Sequence, residues 1–149
     1  MARLDVGIFI RASPERVWQV AADLPRQGDW MADVHRLRVT SEQKEGVGTV
    51  VEVTSRLFGL PLVRDVMEVT AWEPPRELAV THRGRFTGRG RFFLKPALDG
   101  TVFLWDEEFR PPLGPLGEAA FATVVRAHLR RVFWRSLENL RRLAETAIP

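Results

Sequence analysis

The chain has 149 residues, 45% of them hydrophobic and 28% charged, which suits one ordinary domain, residues 1–149, with its own core. A net charge of +3 is too small to imply nucleic acid without a clustered basic patch, and the absence of cysteine excludes disulfides and thiol chemistry. The opening MARLDVGIFIRASPE has only a short apolar stretch, broken by Asp5 and Arg11. It is neither a signal peptide nor a membrane span, so a cytoplasmic location is the expectation.

Leu4, Val6, Ile8 and Ile10 alternate and predict a first strand. Ser13-Pro14-Glu15 then reads as a helix start: a capping hydroxyl, a proline suited to the first helical position, and an acid at the positive end of the dipole. Val17, Val20, Ala21 and Leu24 keep helical spacing up to Pro25, and residues 26–32 suit a second short helix carrying Trp30 and Met31. From there the period changes to two. Strands are predicted near 35–42, 47–58, 64–72, 77–84, 87–95 and 101–110, with breaks at Glu45-Gly46, Gly59-Leu60-Pro61, Pro74-Pro75, Gly84 and Asp99-Gly100. Connections this short allow only an antiparallel meander.

The remaining chain is helical over about 117–146, a length of roughly 45 Å at 1.5 Å per residue. Its apolar stripe is Phe121, Val124, Val125, Leu129, Val132, Phe133, Leu140 and Leu143. One long helix and seven strands predict an α+β fold: a curved antiparallel sheet wrapped around the helix, with two short helices after the first strand. A cavity between sheet and helix is the expected by-product.

Four stretches in this order resemble the START-like, or SRPBCC, superfamily of helix-grip proteins, over essentially the whole chain. They are ASPERVWQVAADLPRQGDW, EVTAWEPPREL, DGTVFLW and the long final helix. The chain is most similar to the polyketide cyclase/dehydrase-like branch. Members carry lipids, bind hormones or quinones, or cyclise polyketides in the same cavity. The resemblance therefore implies a hydrophobic small-molecule ligand (aromatic, polyketide, quinone or lipid) and no cofactor. The alternative is an aromatase/cyclase performing aldol closure and dehydration of a poly-β-ketone, and the sequence does not decide between enzyme and carrier.

The more apolar parity of each strand should face the helix. That places Leu37, Val39, Leu57, Ala71, Leu78 and Leu94 inward, and assigns Val51, Val53, Met67, Val69, Val80, Phe92, Phe103, Trp105 and Phe109 to a ligand, with Val125, His128 and Val132 opposite on the helix. The same parity carries His35, Thr49, Ser55, Asp65, His82 and Glu107, so all three histidines fall on inward positions. His82, Glu107 and His128 are the candidate acid/base groups, with Asp65 as a further partner. Glu107 either faces ligand and water in the cavity, where losing its charge would cost little stability, or pairs with a buried histidine or arginine. No HxH or HxxxH pair occurs, and no metal site is assigned.

Gly88 and Gly90 mark either a bend in the sheet or room for a ligand. A cyclase is disfavoured by the absence of tyrosine and by Arg56 and Arg64, which fall on the outward parity. Arg89, Arg91 and the arginines of the last helix (Arg126, Arg130, Arg131, Arg135, Arg141 and Arg142) read as a solvated face rather than a nucleic-acid surface. Trp134 points off the stripe and reads as a partner contact, which permits a homodimer.

Overall fold

The computed structural model describes residues 2–84 and 87–146. Strand β1 (Ala2–Ile10) leads into helix α1 (Pro14–Ala21) and a 3-10 turn at Leu24–Asp29. Strands β2 (Val34–Val39), β3 (Val50–Leu57), β4 (Leu60–Glu73), β5 (Glu77–Arg83), β6 (Thr87–Ala97) and β7 (Gly100–Arg110) come next. All pairings are antiparallel, in one sheet of order β1-β7-β6-β5-β4-β3-β2. The first and last strands thus pair, and β1 and β2 are the edges.

The local signals act as their chemistry requires. Ser13 Oγ accepts the Arg16 N–H at 3.2 Å, and Pro14 occupies the first turn of α1. On β7, Thr101, Phe103, Trp105, Glu107 and Phe109 are buried while the residues between them are partly exposed. On the opposite face Arg91 pairs with Asp106 at 2.6 Å and Arg89 with Glu108 at 3.4 Å, so these two arginines have acidic partners on the neighbouring strand.

The C-terminal helical run is continuous but not uniform. Helix α2 (Gly114–Ala120) passes through a π-helical turn (Phe121–Val125) into α3 (Arg126–Glu145). A π turn inserts one residue and rotates the helical face beyond it. Accordingly Phe121 is buried and Val125 faces the interior, whereas Val124 is exposed. The buried line of α3 is Phe133, Leu137, Leu140 and Ala144, and Leu143, expected in the stripe, lies off it and is exposed. At its C-terminus the Arg16 guanidinium donates to the carbonyls of Leu143 and Ala144, satisfying groups a helix end leaves open. No helix among the described residues is long and apolar enough to cross a membrane.

One end of the interior is filled. Trp30, reached just after the 3-10 turn, is fully buried, with its ring 5.7 Å from Phe92, 6.4 Å from Phe103 and 5.8 Å from Trp105. Trp105 in turn stacks flat on Phe133 of α3 at 4.0 Å. Each such burial contributes roughly 1.5–3 kcal/mol, and together they close this half of the space between sheet and helix.

Three bulges change the strand parity. Register shifts fall between Val34 and Arg36, between Ser55 and Leu57, and between Val69 and Ala71. A bulge adds one residue to one strand and turns the residues beyond it to the other face. Past the last of these, Trp72 rather than Ala71 pairs with Leu78 and packs on the core, its ring 5.2 Å from Trp18.

Candidate functional site

Three ionisable side chains from three strands form one hydrogen-bonded chain. His82 on β5 donates through Nδ1 to Asp65 Oδ2 at 2.5 Å and through Nε2 to Glu107 Oε2 at 2.8 Å. Glu107 Oε1 accepts the Trp105 indole N–H at 2.9 Å, and Asp65 Oδ1 accepts the Gly84 N–H at 3.0 Å. Strands β5 and β7 are separated by β6, so His82 and Glu107 must meet across about 10 Å. The residues of β6 opposite them are both glycine: Gly88 pairs with His82, and Gly90 with Glu107. A Cβ on Gly90 would stand 2.5 Å from Glu107 Oε1, and one on Gly84 would stand 2.8 Å from Asp65 Oδ1. The room at Gly90 is therefore taken by Glu107's own carboxylate.

Burial alone would favour a neutral His82 ring. The charge of Glu107 and the hydrogen bonds to Asp65 and Glu107 outweigh it and raise the imidazole to about 10. At neutral pH His82 is thus an imidazolium with both N–H groups given to carboxylates.

This chain forms part of the wall of a cavity of about 150 Å³ at the bulged end of the sheet. The apolar lining is Met31, Val34, Val53, Leu57, Val63, Met67, Trp105, Phe109, Val125, Leu129 and Phe133. Asp33, Ser55 and Arg56 complete the polar part. Arg56 has the outward parity of β3 and stands opposite Pro61 and Leu62, where β4 carries one extra residue. Its Nη1 donates to Val34 O at 3.0 Å and its Nη2 lies 3.1 Å from His35 Nδ1.

Asp33, in the turn before β2, is held by its backbone, whose carbonyl accepts the Arg56 N–H at 2.6 Å. Its carboxylate has no side-chain hydrogen bond or ion pair with another described residue, and its one hydrogen bond is to its own backbone N–H. Burial raises this carboxyl to about 6; the charge of Glu107 adds to that effect, while the local backbone bond and Arg56 oppose it.

Of the residues assigned to a ligand from sequence, Val53, Met67, Trp105, Phe109 and Val125 line this cavity. Val51, Val69, Phe92 and Phe103 are buried in the core, Phe92 and Phe103 against Trp30, and Phe92 also borders a small void. Val80 faces a small separate void of about 30 Å³, and Val132 is only half-buried beside the core line. Among the acid/base candidates, His82 and Glu107 come together and His128 stays apart. His128 Nε2 accepts the Phe58 N–H at 3.1 Å and its ring stacks on Phe58 at 4.4 Å, tying the β3–β4 turn to α3. His35 is exposed rather than inward, being the extra residue of the β2 bulge, and the buried Thr49 serves its own loop by donating to Gly46 O at 2.8 Å. Among the described residues no cluster suits a metal ion. Asp33 lies in a turn that strand alternation does not reach, and Arg56, of outward parity, reaches the cavity where its N–H and guanidinium bond the Asp33 and Val34 carbonyls at the start of β2. Met31, Val34 and Val63 have no strong periodic signal at all.

The profile of the family described as "Polyketide cyclase / dehydrase and lipid transport" matches residues 1–145. The uncharacterized protein Rv1546 of Mycobacterium tuberculosis is 27% identical over 128 residues, covering 83% of this chain and 89% of that protein. Among solved structures, TTHA0849 from Thermus thermophilus superposes with a TM-score of 0.82 at 20% identity, over 96% of this chain and 97% of the other. The Aha1 dimer from Colwellia psychrerythraea gives a TM-score of 0.68 at 17% identity, with 98% of each chain covered. These likenesses establish the helix-grip fold, and the match to the family profile over nearly the whole length carries the assignment. The chain belongs to the polyketide cyclase/dehydrase and lipid transport family.

Proposed function

We propose that the protein binds a small hydrophobic molecule in the cavity between the sheet and the C-terminal helix. The observation that carries this reading is the cavity itself: about 150 Å³, walled mainly by aliphatic and aromatic side chains, with its polar groups gathered on one side. A dry apolar cavity of about 150 Å³ is large enough for benzene. The ligand buried here is therefore a single ring or a short branched chain. A poly-β-ketone or a long acyl chain would exceed this volume and protrude, past lining residues such as Leu57, Val63 and Val125. Exposed Phe58, Leu62 and Val124 neighbour those residues in the chain and would offer such a tail apolar surface.

Toluene titrated against the protein should change the fluorescence of Trp105, which lines the cavity. Val63→Phe, which fills the space, should abolish the change. No response of the wild-type protein to any single-ring hydrocarbon would end this reading.

A cyclase requires a group to take an α-proton and another to protonate a leaving hydroxyl. His82 is poorly suited, because both its nitrogens are committed and its charge is fixed by Asp65 and Glu107. Asp33 is the cavity group whose carboxyl is both free and close to neutral pH in its titration. Conversion of a β-polyketone that survives Asp33→Asn would argue against a proton-transfer role there. The Colwellia protein is described as a dimer, and the exposed Trp134 suits a homodimer here, which sedimentation of the wild type and Trp134→Ser tests.

A further inference from the structure

The ligand class can be narrowed by asking which polar group in the cavity still lacks a partner. The Asp65–His82–Glu107 chain is closed: each carboxylate oxygen accepts one donor, and each imidazole nitrogen donates once. Arg56 is spent on the Val34 carbonyl and on His35. Ser55 is a hydroxyl and can turn to serve either role. Asp33 remains. Asp33 lines the cavity, half-buried, with neither a cation nor a side-chain donor of another described residue in contact with its carboxylate.

The charges around it are unbalanced in the same sense. Facing Asp33 are Glu107 from β7, Asp65 from β4, His82 from β5 and Arg56 from β3. His35 meets Arg56 from the outer side and is not part of the cavity lining. Among the described residues, three carboxylates thus stand against one imidazolium and one guanidinium, a deficit of one positive charge. A buried carboxylate without a partner is costly to keep. A ligand that supplies the missing cation removes that cost on binding.

Resting on the hydrophobic-cavity reading, we infer that the natural ligand is an aromatic or short aliphatic amine whose ammonium group pairs with Asp33 while its apolar body occupies the wall formed by Val53, Val63, Phe109 and Leu129. Arg56 limits the choice further, because it repels a second cation placed near the end of β3, so a monoamine fits better than a diamine. A carboxylic acid of the same shape would meet Asp33, Asp65 and Glu107 and be rejected.

The test compares three single-ring probes of matched size: 2-phenylethylamine, n-propylbenzene and 3-phenylpropionate, each titrated by calorimetry and by tryptophan fluorescence. At pH 7.5 the wild-type protein should bind the amine at least about tenfold more tightly than propylbenzene, since a hydrogen bond between charged groups is stronger than a neutral contact, and should bind the acid least. Asp33→Asn should lose that preference while keeping its propylbenzene affinity within about twofold. Lowering the pH from 7.5 to 5 should weaken amine binding about tenfold in the wild type, as Asp33 protonates through about 6, and not in Asp33→Asn. Propylbenzene binding without an amine preference would overturn the assignment of Asp33 and leave the cavity reading standing. Failure of both probes to bind would overturn both. An amine preference retained by Asp33→Asn would place the cation elsewhere and equally defeat the inference.

Discussion

Replacing Glu107 by glutamine tests whether the buried chain braces the fold, and counting donors gives the expected outcome. Two N–H groups, from Trp105 and from His82, converge on the two oxygens of Glu107. Glutamine offers one oxygen and one NH₂, so one donor must face another donor unless His82 changes state. The one satisfied arrangement keeps the Trp105 bond, sheds the His82 proton from Nε2, and lets that nitrogen accept from the amide. His82 is then neutral and its ion pair with Asp65 disappears.

Breaking one side of a buried pair costs about 3–5 kcal/mol, and the neutral tautomer recovers part of this, leaving about 3 kcal/mol. At roughly 2–4 °C per kcal/mol for a chain of this size, the melting temperature should fall by about 6–12 °C near pH 6. His82 is raised in the folded protein from 6.5 to about 10, so its contribution is complete below pH 6.5 and fades as the pH climbs through 10. The gap between the two proteins should therefore close at alkaline pH. Thermal melts from pH 6 to 10, with ¹⁵N spectra of the histidine ring, measure both effects. An unchanged melting temperature, with both ring nitrogens still protonated at pH 8, would refute the reasoning.

Gly90→Ala should displace the Glu107 carboxylate and cost about 2–4 kcal/mol by denaturant titration, whereas Gly59→Ala, with open space around it, should cost only the about 1–2 kcal/mol of a left-handed backbone. Asp33→Asn should raise stability by about 1–2 kcal/mol at pH 7. Its carboxyl is raised from 3.8 to about 6, so the native protein loses stability as the pH rises through that window, and the advantage of the variant should vanish below pH 3.8. His128→Leu should leave ligand binding intact but speed hydrogen exchange at the Phe58 amide, which His128 holds.

The fold was legible because its signals are local and repeated. Ser13-Pro14-Glu15 starts a helix by capping chemistry alone, and the alternation of β7 from Thr101 to Phe109 survives unbroken in the structure. The long C-terminal helix begins three residues before the expected Gly117, where Pro115 occupies its first turn. The site was legible only where strands stay regular. Glu107 and His82 were found by parity, but their partnership depends on two glycines of β6 that periodicity cannot distinguish from a bend. Ala71 is turned outward by a bulge, which leaves no mark in the pattern of apolar residues, and Arg56 reaches the cavity by bonding the start of β2 rather than by its parity. Phe92 and Phe103 do face inward as expected, yet they contact Trp30 rather than empty space. Facing the interior and lining a cavity are different properties, and alternation reports only the first.

Trp30 belongs to neither the sheet nor the long helix. It sits on the connection after the 3-10 turn, and its indole occupies the space that Phe92, Phe103 and Trp105 would otherwise leave open. The extent of the open interior is thus limited by one side chain on a short connecting segment. Swapping a tryptophan for a smaller residue there enlarges the chamber without moving a strand, a hydrogen-bonded pair or the buried ionic chain. In this chain the position acts as a dial for the volume of the interior, independent of the polar groups along the cavity wall.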